Sequence, residues 1–281
     1  MIAGSARGRH GVTEGWPDEI VALLRHAPPH LRIYLWIALG TGARPRAILE
    51  LTRDRIDFAN RLIEFNPHGR AQTKKRRPRV PIATSLLPML QDAVTATLGR
   101  KIGNLVTYAG KPVVHIRMAF RHTADRAIRA EARNALRLWR DGHRGEAREA
   151  LADARRRIGK LTDVSPYVLR HTSATELYRR DVPLDEIAAF LGHTPRLRIT
   201  AMYAKRGPEN VARTLAAIDH YLSELRTLVD ASGAEHAGGT VCGRFAVDDD
   251  PSELAKPLGE LVELIGIEPT TSSLRTRRSP S

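Results

Sequence analysis

A chain of 281 residues with 42% hydrophobic content can bury one large core or two small ones. Lysine and arginine outnumber aspartate and glutamate by 45 to 31, a formal net charge of +14, and an excess of that size points to a polyanionic partner, nucleic acid being the commonest. A single cysteine, Cys242, excludes an internal disulfide; no apolar run reaches the roughly 18 residues of a membrane span, and Met1–Arg7 lacks a signal-peptide core, so a cytoplasmic protein with no membrane partner is expected.

Residues 1–14 are small, basic and glycine-rich, and are expected to be disordered. Pro17-Asp18-Glu19 then opens a helix, because proline suits the first turn and acids there suit the dipole. Ile20, Leu23 and Leu24 form its apolar face, and Pro28-Pro29 ends it. Leu31 to Leu39, apolar nearly all round and containing Trp36, predicts a buried helix that Gly40-Thr41-Gly42 terminates. Arg44-Pro45 opens a short helix with Ile48, Leu49 and Leu51. Arg44 therefore sits at a helix N-terminus behind a glycine turn, where a guanidinium can point into a cleft.

Ile56-Asp57-Phe58, Arg61 to Phe65 and Arg79 to Ile82 alternate or run β-branched, predicting a small antiparallel sheet. Between the last two strands, Gly69 to Pro78 forms a basic hairpin tip. It reads as a solvated or DNA-backbone-binding charge run, with Lys75, Arg76 and Arg77 as the DNA-binding candidates. Thr84 to Leu98 predicts an amphipathic helix, and Leu105 to Val114 a hairpin around Ala109-Gly110. Ala119 to Gly159 is mostly helical, broken near Gly142 and Gly145. Arg126, Arg129, Arg133, Arg137, Arg140 and Arg144 recur three or four apart on one face. That face reads either as solvated or as a phosphate-tracking stripe, Arg126 and Arg133 being its DNA-binding candidates.

Ser165-Pro166 is a cap and first-turn pair for a helix on which Tyr167, Arg170 and Ala174 share a face. Pro183-Leu184 begins another, ended by Gly192, which presents His193 just past a helix C-terminus; Tyr203 follows one short segment later. Pro208 to about Val229 is a last helix, with a linker signal at Ala231 to Gly239. The expectation is one domain over 15–228, mainly α in an α+β sense, a helical bundle with a small antiparallel sheet. Residues 229–281 are expected to be a linker and a weakly folded tail.

Cleaving a phosphodiester without a metal requires a nucleophile, charge on the non-bridging oxygens and a proton donor for the leaving 5′-oxygen. Arginines meet the second need, being planar, always charged and forked for bidentate phosphate contact. Charge placed where charge develops is typically the largest catalytic term. Histidine can donate a hydrogen bond or take a proton, a lysine on a hairpin can protonate the leaving oxygen, and tyrosine can attack and hold the strand covalently.

Thr41-Gly42-Ala43-Arg44 followed by Leu51, then Leu169-Arg170-His171-Thr172, then Leu191-Gly192-His193-Thr194, then Tyr203 resemble the ordered boxes of the tyrosine recombinase (phage integrase) family, over roughly residues 13–225. The resemblance implies an integrase-type catalytic domain that recombines DNA through a 3′-phosphotyrosyl intermediate with no metal or cofactor. It implies that Arg44 and Arg170 clamp the scissile phosphate, that His193 assists and that Tyr203 is the nucleophile. The general acid would be Lys74, with Lys75 as runner-up. Double-stranded DNA is the implied partner and a homotetramer on DNA the implied assembly. His171 is expected to pack behind Arg170.

Two positions depart from the family pattern. Tyr167 stands where a histidine is common, and Ala47 where an acid usually supports the site. The family's N-terminal DNA-clamping domain is expected to be absent, with no room for it before Pro17. These departures leave two other readings open: a catalytically weak DNA-binding remnant, and a type IB topoisomerase-like relaxing enzyme. In the tail, Gly266-Ile267-Glu268-Pro269 can be encoded by DNA containing ATCGAACC, whose reverse complement resembles a tRNA T-arm. Residues beyond about 262 are therefore expected to overlap an attachment site.

Overall fold

A computed structural model describes residues 16–72, 77–158, 165–192 and 211–234. Three helices open the described chain: α1 (Trp16–His26), α2 (Pro29–Thr41) and α3 (Pro45–Leu49). Strands β1 (Ile56–Asp57), β2 (Leu62–Glu64) and β3 (Arg79–Pro81) follow, then α4 (Leu87–Thr95) and the short strands β4 (Thr107–Tyr108) and β5 (Lys111–Pro112). The remaining helices are α5 (Arg117–Arg140), α6 (Arg144–Ile158), α7 (Pro166–Arg179), α8 (Leu184–Phe190) and α9 (Ala212–Ala234). The expected mainly helical architecture with a small antiparallel sheet is what the protein has.

Helix α2 is the hub because its sequence leaves it almost no polar face. Leu31, Tyr34, Leu35, Ile37 and Leu39 are fully buried, and α3, α4, α7 and α9 pack around them. Each such aliphatic side chain contributes about 1.5–3 kcal/mol by leaving water. The helix stops at Gly42, which adopts the left-handed conformation (φ 56°) and returns its N–H to the Ala38 carbonyl. The fully buried Ser173 hydroxyl of α7 lies 3.0 Å from the Leu39 carbonyl and 3.3 Å from that of Ala38. It thus serves the Leu39 carbonyl, one of those that a helix end leaves without an intrahelical partner.

The sheet runs β1-β2-β3, antiparallel throughout, with Ile63 opposite both Ile56 and Val80. Those three side chains form the buried row, as period-two alternation requires. Strands β4 and β5 meet through Ala109-Gly110, both at positive φ, the conformation a two-residue hairpin turn needs. Helices α5 and α6 pack on each other and on α1. The break between them falls at Gly142 (φ 87°) alone; Gly145, expected to share it, lies in the first turn of α6.

Helix α9 is tied down by polar contacts as well as by Ile218, Leu222 and Leu225. The Asp219 carboxylate accepts from the backbone N–H and the hydroxyl of Ser85, both at 2.7 Å. Arg226 lies over the Trp36 ring and donates to the Ser85 carbonyl. The helix continues to Ala234, past the expected boundary near 229. The rest of the expected linker and tail, the attachment-site overlap and residues 1–14 lie outside the described residues. No helix among the described residues is long and apolar enough to cross a membrane.

Two glycines separate backbone strain from crowding. Gly42 and Gly142 are both left-handed, but a Cβ on Gly42 would run into the Leu191 side chain while one on Gly142 would meet open space. Gly142→Ala is expected to lower unfolding free energy by about 1 kcal/mol, the conformational term alone. Gly42→Ala should lose roughly 2–4 kcal/mol, because overpacking adds to that term. Urea midpoints at constant slope check the difference, and equal losses would remove Leu191 from the account.

Candidate active site

Arg44 caps the N-terminus of α3 directly behind the Gly42 turn, with an extended backbone (φ −67°, ψ 144°) and a half-buried side chain. Its carbonyl accepts the first helical hydrogen bonds, from Ala47 and Ile48. Pro45 suits this place, since a first-turn residue has no use for its N–H. Arg170, from the second turn of α7, reaches the same place. Its Nη1 donates to the Gly42 carbonyl at 2.6 Å and its Nη2 to the Leu191 carbonyl at 2.7 Å. A small pocket is lined by Arg44, Ala47, Arg77, Pro78, Arg170 and Leu191, among others. Burial first, and then the Arg44 charge, pull the Arg170 pKa down to about 10. The guanidinium stays charged near neutrality.

Tyr167 lies one turn before Arg170 on the same helix and is 56% exposed. It is close enough for its charge state to act on Arg170, as the smallest of the three influences. His171 is exposed, which corrects the expectation that it packs behind Arg170. Neighbouring helical residues point about 100° apart, and with Arg170 turned inward His171 turns out. The space behind Arg170 is filled by the Gly42 and Leu191 turns.

The root of the β2–β3 hairpin faces the same pocket. Arg77, expected on the DNA-binding tip with Lys75 and Arg76, is instead buried at 9% exposure. Its Nη1 donates to Glu50 Oε2 at 2.7 Å and lies 3.5 Å from the Phe65 carbonyl. Glu50, at the C-terminus of α3, also accepts from Arg46 Nε at 2.6 Å and from Arg70 at 3.5 Å. Burial pushes the Glu50 carboxyl up, but hydrogen bonds from Arg77 and Arg46 outweigh it and hold the pKa below the usual range. Gln72 accepts from the Arg77 N–H at 3.1 Å and donates to the Arg77 carbonyl at 3.0 Å. Next in the chain, Pro78 abuts Gly192, where an added Cβ would lie 2.7 Å from Pro78 Cδ. Sequence reasoning missed Glu50 and Gln72. The available signal was an acid one helical turn beyond Ala47.

The described residues therefore bring together Arg44, Tyr167, Arg170 and Arg77, and stop at Gly192, one residue before His193. Lys74, Lys75, Arg76, His193 and Tyr203 lie outside the described residues. Arg126, Arg129, Arg133, Arg137 and Arg140 are exposed along α5, on the one face their spacing requires. Arg126 donates to the His26 carbonyl at 3.1 Å. Arg144, expected as the sixth member of that stripe, belongs to α6 and sits over the Trp139 ring at 5.5 Å.

Two arginines thus converge on one pocket from separate helices, beside the root of a basic hairpin. The chain belongs to the phage integrase family, whose sequence model matches residues 16–209 and so includes every predicted catalytic position. Among curated proteins it is similar to tyrosine recombinase XerC of Bifidobacterium longum strain DJO10A, 31% identical over 172 residues, 60% of this chain and 41% of the relative. The protein of the same description from B. longum subsp. infantis matches to the same extent. The chain thus spans less than half the length of these relatives. No solved structure is a significant match.

Anion binding can be read without any DNA. Sulfate at about 100 times its Kd should stabilise the folded chain by roughly 2.7 kcal/mol through mass action. The expected result is a melting temperature that climbs with sulfate beyond the climb in an ionic-strength-matched chloride series. Arg44→Ala should remove that excess. An excess that survives in Arg44→Ala would locate the anion elsewhere.

Proposed function

We propose that this chain carries the catalytic domain of a tyrosine-type site-specific recombinase acting on double-stranded DNA. In this reading Arg44 and Arg170 clamp the scissile phosphate and His193 assists them. The Tyr203 hydroxyl gives its proton to His193 as its oxygen attacks phosphorus, forming the 3′-phosphotyrosyl bond while the bond to the 5′-oxygen breaks. Lys74 gives that oxygen its proton, and Lys75 stands second for the role. Tyr167, replacing the family's usual histidine, can donate a hydrogen bond to phosphate but cannot act as a base near neutral pH. Reversal by an incoming 5′-hydroxyl rejoins the strand with the bond energy conserved.

The single observation that supports this most is the Arg170 fork. One side chain ties the turn that precedes Arg44 to the turn that precedes His193. Two of the ordered motifs are thereby joined through the third, as a shared phosphate would require. Exposed Arg133 and Arg126, with the other arginines of α5, are proposed to track phosphates beyond the cleavage point, together with Lys75 and Arg76. With a net charge of +14, affinity should fall steeply with salt as counterions are released. Recombination joins two duplexes, so a homotetramer on DNA is the proposed assembly, with cytoplasmic, nucleoid-associated action.

Ala47 and Tyr167 favour a second reading, a DNA-binding remnant with weak catalysis. A nicked suicide duplex, whose cleaved fragment diffuses away, distinguishes the two. The recombinase reading expects a covalent protein–DNA adduct, absent in Tyr203→Phe and reduced by about 10²–10³-fold in Arg170→Lys, which removes the bidentate fork. Binding without any adduct would sustain the remnant. A monomer that relaxes supercoiled plasmid would instead indicate topoisomerase-like action.

A further inference from the structure

Glu50 stands at the meeting point of two parts of the site that the catalytic roles above do not explain. One carboxylate oxygen holds the buried Arg77, and the other holds Arg46 on the surface. Arg77 is the first described residue after the span 73–76, and Gln72 is the last before it. Gln72 and Arg77 are bonded to each other twice, so the two ends of the lysine-bearing span are pinned together. Arg70, earlier in the same hairpin, also turns toward Glu50, and its carbonyl accepts from Asn66. On the other side, Pro78 seats against Gly192, beside the turn that leads to His193.

We propose that Glu50 is a positioning residue: through Arg77 it fixes the hairpin root from which the chain runs on to Lys74, and through Pro78 it sets that root against the Leu191–Gly192 turn. It takes over, one helical turn later, the supporting role left open by Ala47. The Lys74 half of this rests on the recombinase reading; the clasp itself does not.

Geometry argues for Arg77 as the effective partner. Arg46 is 84% exposed, and Arg70 is 41% exposed at a longer distance, so both are screened by water. Arg77 is 9% exposed and has a second acceptor in the Phe65 carbonyl. Losing the carboxylate would leave a buried guanidinium with one distant carbonyl, and the root would have to move to hydrate it. A shift of about 1 Å in a proton donor is enough to cost roughly 100-fold in rate.

Glu50→Gln keeps shape and removes charge, so it tests the proposal with little risk to the fold. The first measurement is amide hydrogen exchange on the full chain. Amides of residues 65–72 and 77–81 should exchange about 10-fold faster or more, with α2 and α7 unchanged. Unchanged exchange in the hairpin overturns the clasp whether or not the chain cleaves DNA. The second is single-turnover adduct formation on two duplexes, one ordinary and one with sulfur replacing the 5′-bridging oxygen, a leaving group that needs no proton.

Glu50→Gln should slow the ordinary substrate by about 10- to 100-fold and the sulfur substrate by less than about 3-fold. Equal slowing on both would mean that Glu50 acts through the arginine clamp or the fold, and the lysine assignment falls. Arg77→Gln should behave the same way, and the double variant should be no worse than either single one; additive defects overturn the pairing. If the wild-type chain forms no adduct on either duplex, the recombinase reading fails and the Lys74 half with it, while hydrogen exchange still decides the clasp.

Discussion

The geometry of the candidate site depends on one guanidinium. Arg170 is buried, carries a full charge and donates to the carbonyls of Gly42 and Leu191. Those carbonyls follow the last turns of α2 and α8. A cation at a helix C-terminus meets the negative end of the backbone dipole, and here one cation meets two. A charge-assisted hydrogen bond is worth about 1.5–3 kcal/mol, while desolvating a buried ion costs several. The two contributions roughly offset, so Arg170 adds little to stability and much to geometry. It fixes where α2 ends relative to where α8 ends, and hence where Arg44 starts relative to Gly192.

Close packing at glycine completes that geometry. The Leu191 side chain occupies the space where a Gly42 Cβ would sit, and Pro78 presses on Gly192 in the same manner. Both glycines are left-handed, so each serves as a helix stop and as a contact surface. Three segments distant in sequence are stacked in this way: the Gly42 turn, the Leu191–Gly192 turn and the hairpin root. Side chains at either glycine would separate the layers by the width of a methyl group, and a phosphate held by two arginines would feel that displacement directly.

Much of the fold was legible because its signals are local. The all-round apolar run of α2, the proline-initiated α3 and α7, and the strand alternation at Ile56, Ile63 and Val80 each follow from a few adjacent residues. The arginine pair was legible from motif order. Arg77 was not, because in sequence it is the fourth member of a Lys-Lys-Arg-Arg run and nothing local marks it as buried. Its burial depends on Glu50, a partner 27 positions away, and on the Pro78 wedge after it. Pairing across that distance is a property of the assembled sheet. His171 is a different case: its exposure follows from helical phase once Arg170 is known to face inward, and that phase was readable. The end of α9 was missed because Ala231 and Ser232 suggest a linker, whereas the helix carries them on as an extension of its docked, apolar first half.

Ala47 lines the arginine pocket and is almost fully buried. A carboxylate there would sit beside Arg44 and Arg170 and offset their charges, raising stability but competing with any incoming phosphate. With the acid one turn further on, at Glu50, the negative charge instead pairs with Arg77 at the hairpin root. Burial first, and then the neighbouring Arg44, hold the Arg170 pKa down at about 10. An acid at position 47 would therefore be expected to offset the arginine charges and stabilise the free protein.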